Sequence, residues 1–115
     1  MQFNDLHKFF EHQYEALNEV VDDVAERARP LGGRALGSLN EFLQHARLNE
    51  HPGERPDARG MIADLLADHE TVVRQLRDDL ETAAKQGDAG TNDFLTGLME
   101  KHEKMAWMLR AFLEG

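Results

Sequence analysis

Apolar residues recur at spacings of three, four and seven along three long stretches of the chain, which is the period of an amphipathic α-helix. The pattern predicts helices at about residues 3–31, 58–86 and 91–113. The first stretch ends at Gly32-Gly33, a glycine stop signal, and Pro30 in its last turn predicts kinking or fraying there. No stretch alternates with the period of two that a strand requires. The sequence therefore predicts an all-α chain.

The link between the first two long helices carries a short helix of its own, at about residues 38–46. Ser38 is a suitable N-cap, and Glu41 stands where the capping box places its acid. The prolines and glycines between Asn49 and Gly60 predict a loop. A link of this length can cross a bundle from end to end, as in ferritin-like bundles. We therefore expect one domain over residues 1–115, and a four-helix bundle with these connections would be short by one helix at its amino end.

Composition excludes several classes of function. The 115 residues include 22 acidic and 13 basic side chains, a net charge of -9, and no cysteine. Disulfides, thiolate metal sites and cysteine nucleophiles are therefore excluded, and the charge opposes sequence-independent binding of nucleic-acid phosphates. No stretch is long and apolar enough to cross a membrane, and no secretory signal opens the sequence. We expect a cytoplasmic protein.

Four candidate metal ligands lie on one side of the first predicted helix. At about 100° per residue, His7, Glu11, Asp22 and Glu26 fall within roughly 100° of one another, beside the apolar stripe. Glu11 and Asp22 are nevertheless about 16 Å apart along the axis, so one chain cannot bring all four to one ion. The pairs His7/Glu26 and Glu11/Asp22 share a midpoint between Ala16 and Leu17. An antiparallel two-fold pair of chains would therefore place His7 and Glu11 of one chain against Glu26 and Asp22 of the other, forming two identical sites.

One imidazole nitrogen with up to three carboxylates suits Fe(II), with Mn(II) or Zn(II) as competitors. Carboxylate oxygens also stabilise Fe(III) and so favour oxidation. The alternative is that these are ordinary solvated side chains on a helix surface, and periodicity alone leaves both interpretations open. A hemerythrin-like di-iron bundle is disfavoured because no paired histidines of the HxxxH type occur.

Other chemistry-bearing residues have simpler interpretations. His69 and His102 lie beside apolar stripes and are expected to be packing histidines. Trp107 is expected in the interior, where it could also donate an electron to a nearby oxidising metal. Either Thr91 or Asp88 can cap the last helix, and Asp88 and Asp93 flank its start, where acids normally serve as caps.

The sequence resembles the Dps family, the mini-ferritins named for DNA protection in starved cells. In that family a His is followed fifteen positions later by an Asp and nineteen later by a Glu, which His7, Asp22 and Glu26 match. The resemblance covers essentially all 115 residues. It is carried by FNDLHKFFEHQYEALNEVVDDVAERARPLGG, GSLNEFLQHARLNE, LLADHETVVRQLR, DAGTNDFL and HEKMAWMLRAFL.

The resemblance implies a ferritin-like helical bundle, here without its first helix, that assembles into a hollow cage of twelve chains. Such a cage oxidises Fe(II), preferentially with hydrogen peroxide, at sites shared between two-fold-related subunits, and stores the ferric product. By position, His7 of one chain and Asp22 and Glu26 of its partner would bind iron, and Glu11 would be an additional acid. Trp107 would be an aromatic near the site. Asp88 and Asp93 would line three-fold pores, although Gly97 replaces an acid often found there.

Family members also carry a preceding helix with a second His ligand followed by Trp, and the resemblance implies that this chain lacks both. Some relatives use a basic amino-terminal tail to bind DNA; with a net charge of -9 we expect no DNA binding here. The leading hypothesis is therefore an iron-binding ferroxidase and iron-storage subunit that protects against oxidative damage. The alternative is a non-catalytic helical association module without a functional metal site.

Overall fold

A computed structural model describes residues 3–115, and this part of the chain contains helices and connecting segments without any strand. The all-α prediction is therefore confirmed. Four helices follow one another: α1 (Phe3–Ala28), α2 (Leu39–His45), α3 (Ala58–Lys85) and α4 (Ala89–Glu114). The chain divides into two compact units, Met1–Asn49 with α1 and α2, and Glu50–Gly115 with α3 and α4.

Helix α1 ends at Ala28, three residues before the predicted end. Pro30 has no N–H to donate to the helical ladder, and its ring disfavours helical geometry at Arg29. The chain then turns: the Gly33 N–H donates to the Ala28 carbonyl at 2.9 Å, and Gly32 takes a φ of 85°. Proline and glycine together thus end the helix in a hydrogen-bonded turn.

Helix α2 has only seven residues and none is buried, so its ends must stabilise it. The Ser38 hydroxyl accepts the Glu41 N–H at 3.2 Å, and the Glu41 carboxylate accepts the Ser38 N–H at 3.2 Å, which completes the predicted capping box. Arg34 also donates to Glu41. The Arg34 guanidinium, followed by the hydrogen bonds from Gly37 and Ser38, lowers the pKa of Glu41.

Helices α3 and α4 form an antiparallel pair in the second unit. Asp57 caps α3 by accepting the Gly60 N–H at 2.8 Å, and Asp88 caps α4 by accepting the Thr91 N–H at 3.0 Å. Near the start of α3, Arg59 joins the two helices by donating to the Leu113 carbonyl of α4 at 2.9 Å. The turn between the two helices uses Gly87 at a φ of 76°. The tight link predicted at this point therefore has the geometry of a helical hairpin.

Apolar side chains at helical spacing form the buried faces of this pair. Ile62 and Leu109 are both 0% exposed. Each contributes on the order of 1.5–3 kcal/mol through the apolar surface it removes from water. The other buried side chains of the two helices are Leu66, His69, Val73, Ala83, Leu98, His102, Met105 and Ala106. Among residues 3–115, no helix has both the length and the apolar content needed to cross a membrane.

Candidate metal-binding positions on the first helix

Helix α1 presents all four predicted ligands as exposed side chains: His7, Glu11, Asp22 and Glu26. The helix is continuous from Phe3 to Ala28, so the regular 3.6-residue repeat applies throughout this stretch. The four residues therefore follow one side of a single helix, two near its beginning and two near its end. Their exposure leaves them accessible to solvent ions.

One chain does not assemble these side chains into a metal site. Within the described range, residues 3–115, no three His, Asp or Glu side chains converge closely enough to hold an ion. The axial separation of about 16 Å between Glu11 and Asp22 accounts for this result within α1. Within residues 3–115, these four side chains do not by themselves complete a site of three or more protein ligands.

An apolar groove lies in the same unit, between α1 and the segment that follows it. Its volume is about 350 Å³, and it is lined by apolar side chains of both segments together with Arg34. The groove residues are Val20, Val21, Val24, Ala25, Ala28, Arg34, Ala35, Leu36 and Phe42. Nearby in sequence, Tyr14 is 71% exposed and Leu39 is 86% exposed. The unit that carries the candidate ligands thus also leaves much apolar surface exposed.

The prediction that Trp107 is an interior residue is wrong, because its side chain is 62% exposed. Met105 and Leu109 mark the buried face of α4. At about 100° per residue, Trp107 lies roughly 160° around the helix from Leu109, on the opposite side. The apolar run MAWML made the residue look internal, whereas its angular position directs it away from the buried face.

The two acids at the start of α4 have different settings. Asp88 is the N-cap, as its sequence position indicated, and its carboxylate accepts hydrogen bonds from both the backbone and the hydroxyl of Thr91. Asp93 lies inside the helix with an exposed side chain, so the expectation that it serves as a cap is wrong. Capping gives Asp88 a structural role within the chain, and the pore role implied for the pair stays a prediction.

His69 and His102 pack together between α3 and α4, with only 3% and 6% of their surfaces exposed. Their Nδ1 atoms are 2.9 Å apart, so one ring donates its N–H and the other accepts. Burial lowers the pKa of His69 to about 4, with a further contribution from His102, and burial also lowers the pKa of His102. Both rings are therefore neutral near pH 7, and the prediction of packing histidines is confirmed.

Comparison with known proteins places the chain in a family. Residues 1–115 match the ferritin family, described as a ferritin-like domain. An uncharacterized low temperature-induced protein of Nostoc is 53% identical over 99% of this chain, and the chain spans 64% of its length. The DNA protection during starvation protein 2 of Bacillus anthracis is 36% identical over 97% of this chain, and the match covers 76% of that protein's length.

Solved structures agree with the sequence relatives. Dps from Thermosynechococcus elongatus superposes with a TM-score of 0.91 at 33% identity, over 96% of this chain and 70% of that one. Dps from Listeria innocua soaked with cobalt gives a TM-score of 0.94 at 32% identity, over 99% of this chain and 74% of that one. The fold and the sequence thus indicate the same family, and the chain belongs to the Dps family of ferritin-like proteins.

Proposed function

We propose that the chain is an iron-oxidising and iron-storing subunit, which binds Fe(II) at sites completed by a second copy of itself. One observation carries the proposal: four side chains of metal-ligand types are exposed on one side of α1. They form two pairs, His7/Glu11 near its start and Asp22/Glu26 near its end, placed symmetrically about a midpoint between Ala16 and Leu17. A two-fold axis through that midpoint would bring each pair against the other pair of the partner. The membership of the chain in the Dps family supports the same arrangement.

Each shared site would combine His7 and Glu11 of one chain with Asp22 and Glu26 of its partner. The neutral imidazole supplies a nitrogen ligand, and the carboxylates supply hard anionic oxygens. Those oxygens stabilise Fe(III) more than Fe(II), because the electrostatic attraction grows with the charge of the ion. The residues thereby favour electron loss without any activated protein nucleophile.

The electron balance requires two Fe(II) ions for each peroxide. Two ions give one electron each, the O–O bond of hydrogen peroxide breaks, and two protons from solvent complete two water molecules. Dioxygen is the alternative oxidant for the same site. Ferric product then hydrolyses and is stored, and the removal of Fe(II) and peroxide together prevents oxidative damage.

Three further residues have subsidiary roles in this proposal. Asp93 and Asp88 would contribute negative charge where Fe(II) approaches an assembled particle, since rings of carboxylates attract cations. Trp107, exposed in the single chain, would come near a site only through assembly, where its ring could supply an electron. Self-association is therefore required for every part of the proposed chemistry.

The exposed apolar surface of the first unit supports self-association. Leu39 and Leu43 of α2 are 86% and 70% exposed, and Val21 of α1 is 62% exposed. Covering such side chains removes apolar surface from water at roughly 25 cal/mol per Å². The same surface also fits the alternative function, a helical association module without metal chemistry.

An anaerobic Fe(II) titration followed by peroxide tests the proposal and separates the two functions. We expect saturable Fe(II) binding and then ferric absorbance in the wild-type chain. Asp22→Ala with Glu26→Ala should weaken binding by more than the roughly 10–100-fold that loss of an outer-sphere partner costs. The matched control, Asp64→Ala with Glu81→Ala, removes one exposed Asp and one exposed Glu from α3 and should bind as the wild type does.

Equal iron oxidation by the Asp22/Glu26 variant and the control would contradict the proposed ligand set. Absence of Fe(II) binding in the wild-type chain, together with a stable oligomer, would support the association module instead.

A further inference from the structure

The charged cleft between α3 and α4 has no part in the proposed iron chemistry. Its volume is about 280 Å³, and its floor includes Val73 and Ala106, which are 9% and 3% exposed. Three arginines line it: Arg74 and Arg77 from α3, and Arg110 from α4. Helices α3 and α4 contain four arginines between them, so three of the four meet at this one cleft.

The helical register explains how these side chains meet. Arg74 and Arg77 are three residues apart and therefore lie on adjacent turns of one face of α3. Arg110 reaches the same cleft from α4, where its guanidinium lies 3.9 Å from the Glu70 carboxylate. Both partners of that ion pair are nearly half exposed, so the pair contributes little stability by itself.

The carboxylates of the cleft do not neutralise the arginines. Glu70 and Glu103 are the acidic residues that line it, which leaves an excess of one positive charge in a chain whose net charge is -9. Arg74 donates to the Thr71 hydroxyl at 3.1 Å, an uncharged acceptor. Arg77 makes no hydrogen bond or ion pair with any of residues 3–115.

Positive charges on three arginines that line one cleft repel one another, and an anion bound in the cleft would offset that repulsion. A guanidinium has five N–H donors in a planar fork, which matches the paired oxygens of a tetrahedral oxyanion. A phosphate-type anion has enough acceptor oxygens to engage donors from both helices. The buried floor of Val73 and Ala106 limits water at the bottom of the cleft and strengthens such contacts.

We propose that this cleft binds a phosphate-type oxyanion through Arg74, Arg77 and Arg110. The ligand is either free inorganic phosphate or the phosphoryl group of a small phosphorylated metabolite. Glu103, a carboxylate on the same cleft, weakens binding through repulsion. The site uses no residue of α1, so its test does not depend on the proposed iron chemistry.

Calorimetric titration of the 115-residue chain with inorganic phosphate tests the site, with chloride used to hold ionic strength constant. We expect saturable binding in the wild type. Arg77→Gln should lower the affinity about tenfold, because loss of one hydrogen bond to a charged group changes a dissociation constant by roughly that factor. Arg74→Gln with Arg77→Gln should lose more. Glu103→Gln should bind more tightly than the wild type, since it removes the repelling charge.

Lys104→Gln is the control, because it removes one positive charge from an exposed position of α4 outside the cleft. Its affinity for phosphate should change less than twofold. Glycerol phosphate distinguishes the two sources of ligand: comparable affinity identifies a phosphoryl group, and preference for inorganic phosphate identifies the free anion, each in support of the site. Helix content measured by circular dichroism establishes that the variants are folded.

Three results would overturn the proposal. The first is absence of saturable phosphate binding by the wild-type chain. The second is an equal loss of affinity in Lys104→Gln and Arg77→Gln, which would indicate general electrostatics. The third is a Glu103→Gln variant that binds phosphate no better than the wild type.

Discussion

At the scale of single residues, the buried histidine pair shows how packing controls protonation. His69 and His102 share one hydrogen bond, and a proton added to either ring would place a charge in a site with almost no solvent contact. Two protonated rings would also repel each other at this distance. The pair is therefore held neutral, and folding stability becomes linked to pH.

The sign of that linkage follows from the direction of the shift. The pKa of His69 falls from an ordinary value of 6.5 to about 4 on folding, so the unfolded chain binds more protons between these two values. Stability is therefore complete above about pH 6.5 and falls as the pH is lowered toward 4, by on the order of 3 kcal/mol. Urea unfolding at pH 7, 6, 5 and 4 should show this loss.

Two controls keep the prediction specific to the pair. His51→Gln alters an exposed histidine and should keep the same pH dependence, whereas His69→Gln with His102→Gln should flatten it. Ring titration by NMR in the unaltered chain provides a measurement that needs no variant. A pKa of 6.5 or above for both buried rings would contradict this explanation.

Residue chemistry also shows the limit of prediction from sequence. The spacing of His69 and His102 beside apolar stripes indicated packing histidines, but their mutual contact depends on the register of α3 against α4. The same register brings Arg74, Arg77 and Arg110 to one cleft. Arg110 is more than thirty residues from the other two, so no local pattern connects them.

At the scale of helices, the caps at Ser38 and Asp88 were predicted because their chemistry is local. Ser38 with Glu41 starts α2, and Asp88 caps α4, as hydrogen bonds across three residues require. The end of α1 was placed three residues late, because the apolar spacing continues to Leu31 while Pro30 interrupts the backbone ladder. Trp107 was wrongly placed in the interior, because apolar neighbours in the sequence do not determine which side of a helix a residue occupies.

Substitution of two glycines, one in the turn between α3 and α4 and one inside α4, should change stability in opposite directions. Gly87 has a φ of 76°, where a Cβ atom costs about 1–2 kcal/mol, so Gly87→Ala should destabilise the chain by roughly that amount. Gly97 lies inside α4, and a Cβ there would meet no atom within 4 Å. Gly97→Ala should therefore stabilise the helix by up to about 1 kcal/mol. Urea unfolding of both variants measures the two changes.

The opposite signs are the essential feature of this comparison, because the two substitutions are chemically identical. Equal effects of Gly87→Ala and Gly97→Ala on the free energy of unfolding would show that backbone conformation does not determine the cost of a side chain at the turn.

At the scale of the whole molecule, residues 3–115 contain no complete candidate metal site and leave several large apolar side chains exposed. The four candidate ligands are divided between the two halves of α1, and within residues 3–115 nothing else completes a site. Tyr14, Val21, Leu39 and Leu43 are each more than 60% exposed. Both features are explained if the working form contains at least two copies.

The fold class and the family could be predicted from the sequence, because helical periodicity and the His7, Asp22 and Glu26 spacing lie within continuous segments. The arrangement of a shared site could be predicted only through an assumed symmetry axis. Contacts between copies depend on surfaces that sequence periodicity describes only in part, so the two-fold site stays a prediction.

Complementation between two inactive variants tests that shared site most directly. One variant carries His7→Ala with Glu11→Ala, and the other carries Asp22→Ala with Glu26→Ala; each alone should oxidise little Fe(II). In a mixed pair, one site regains all four native ligands and the other loses all four. Chains unfolded and refolded together in equal amounts should therefore recover about a quarter of wild-type ferric formation, since half of the pairs are mixed and half of their sites are native. Recovery near that level is the predicted result, and activity no higher than that of the separate variants would contradict a site shared between two chains.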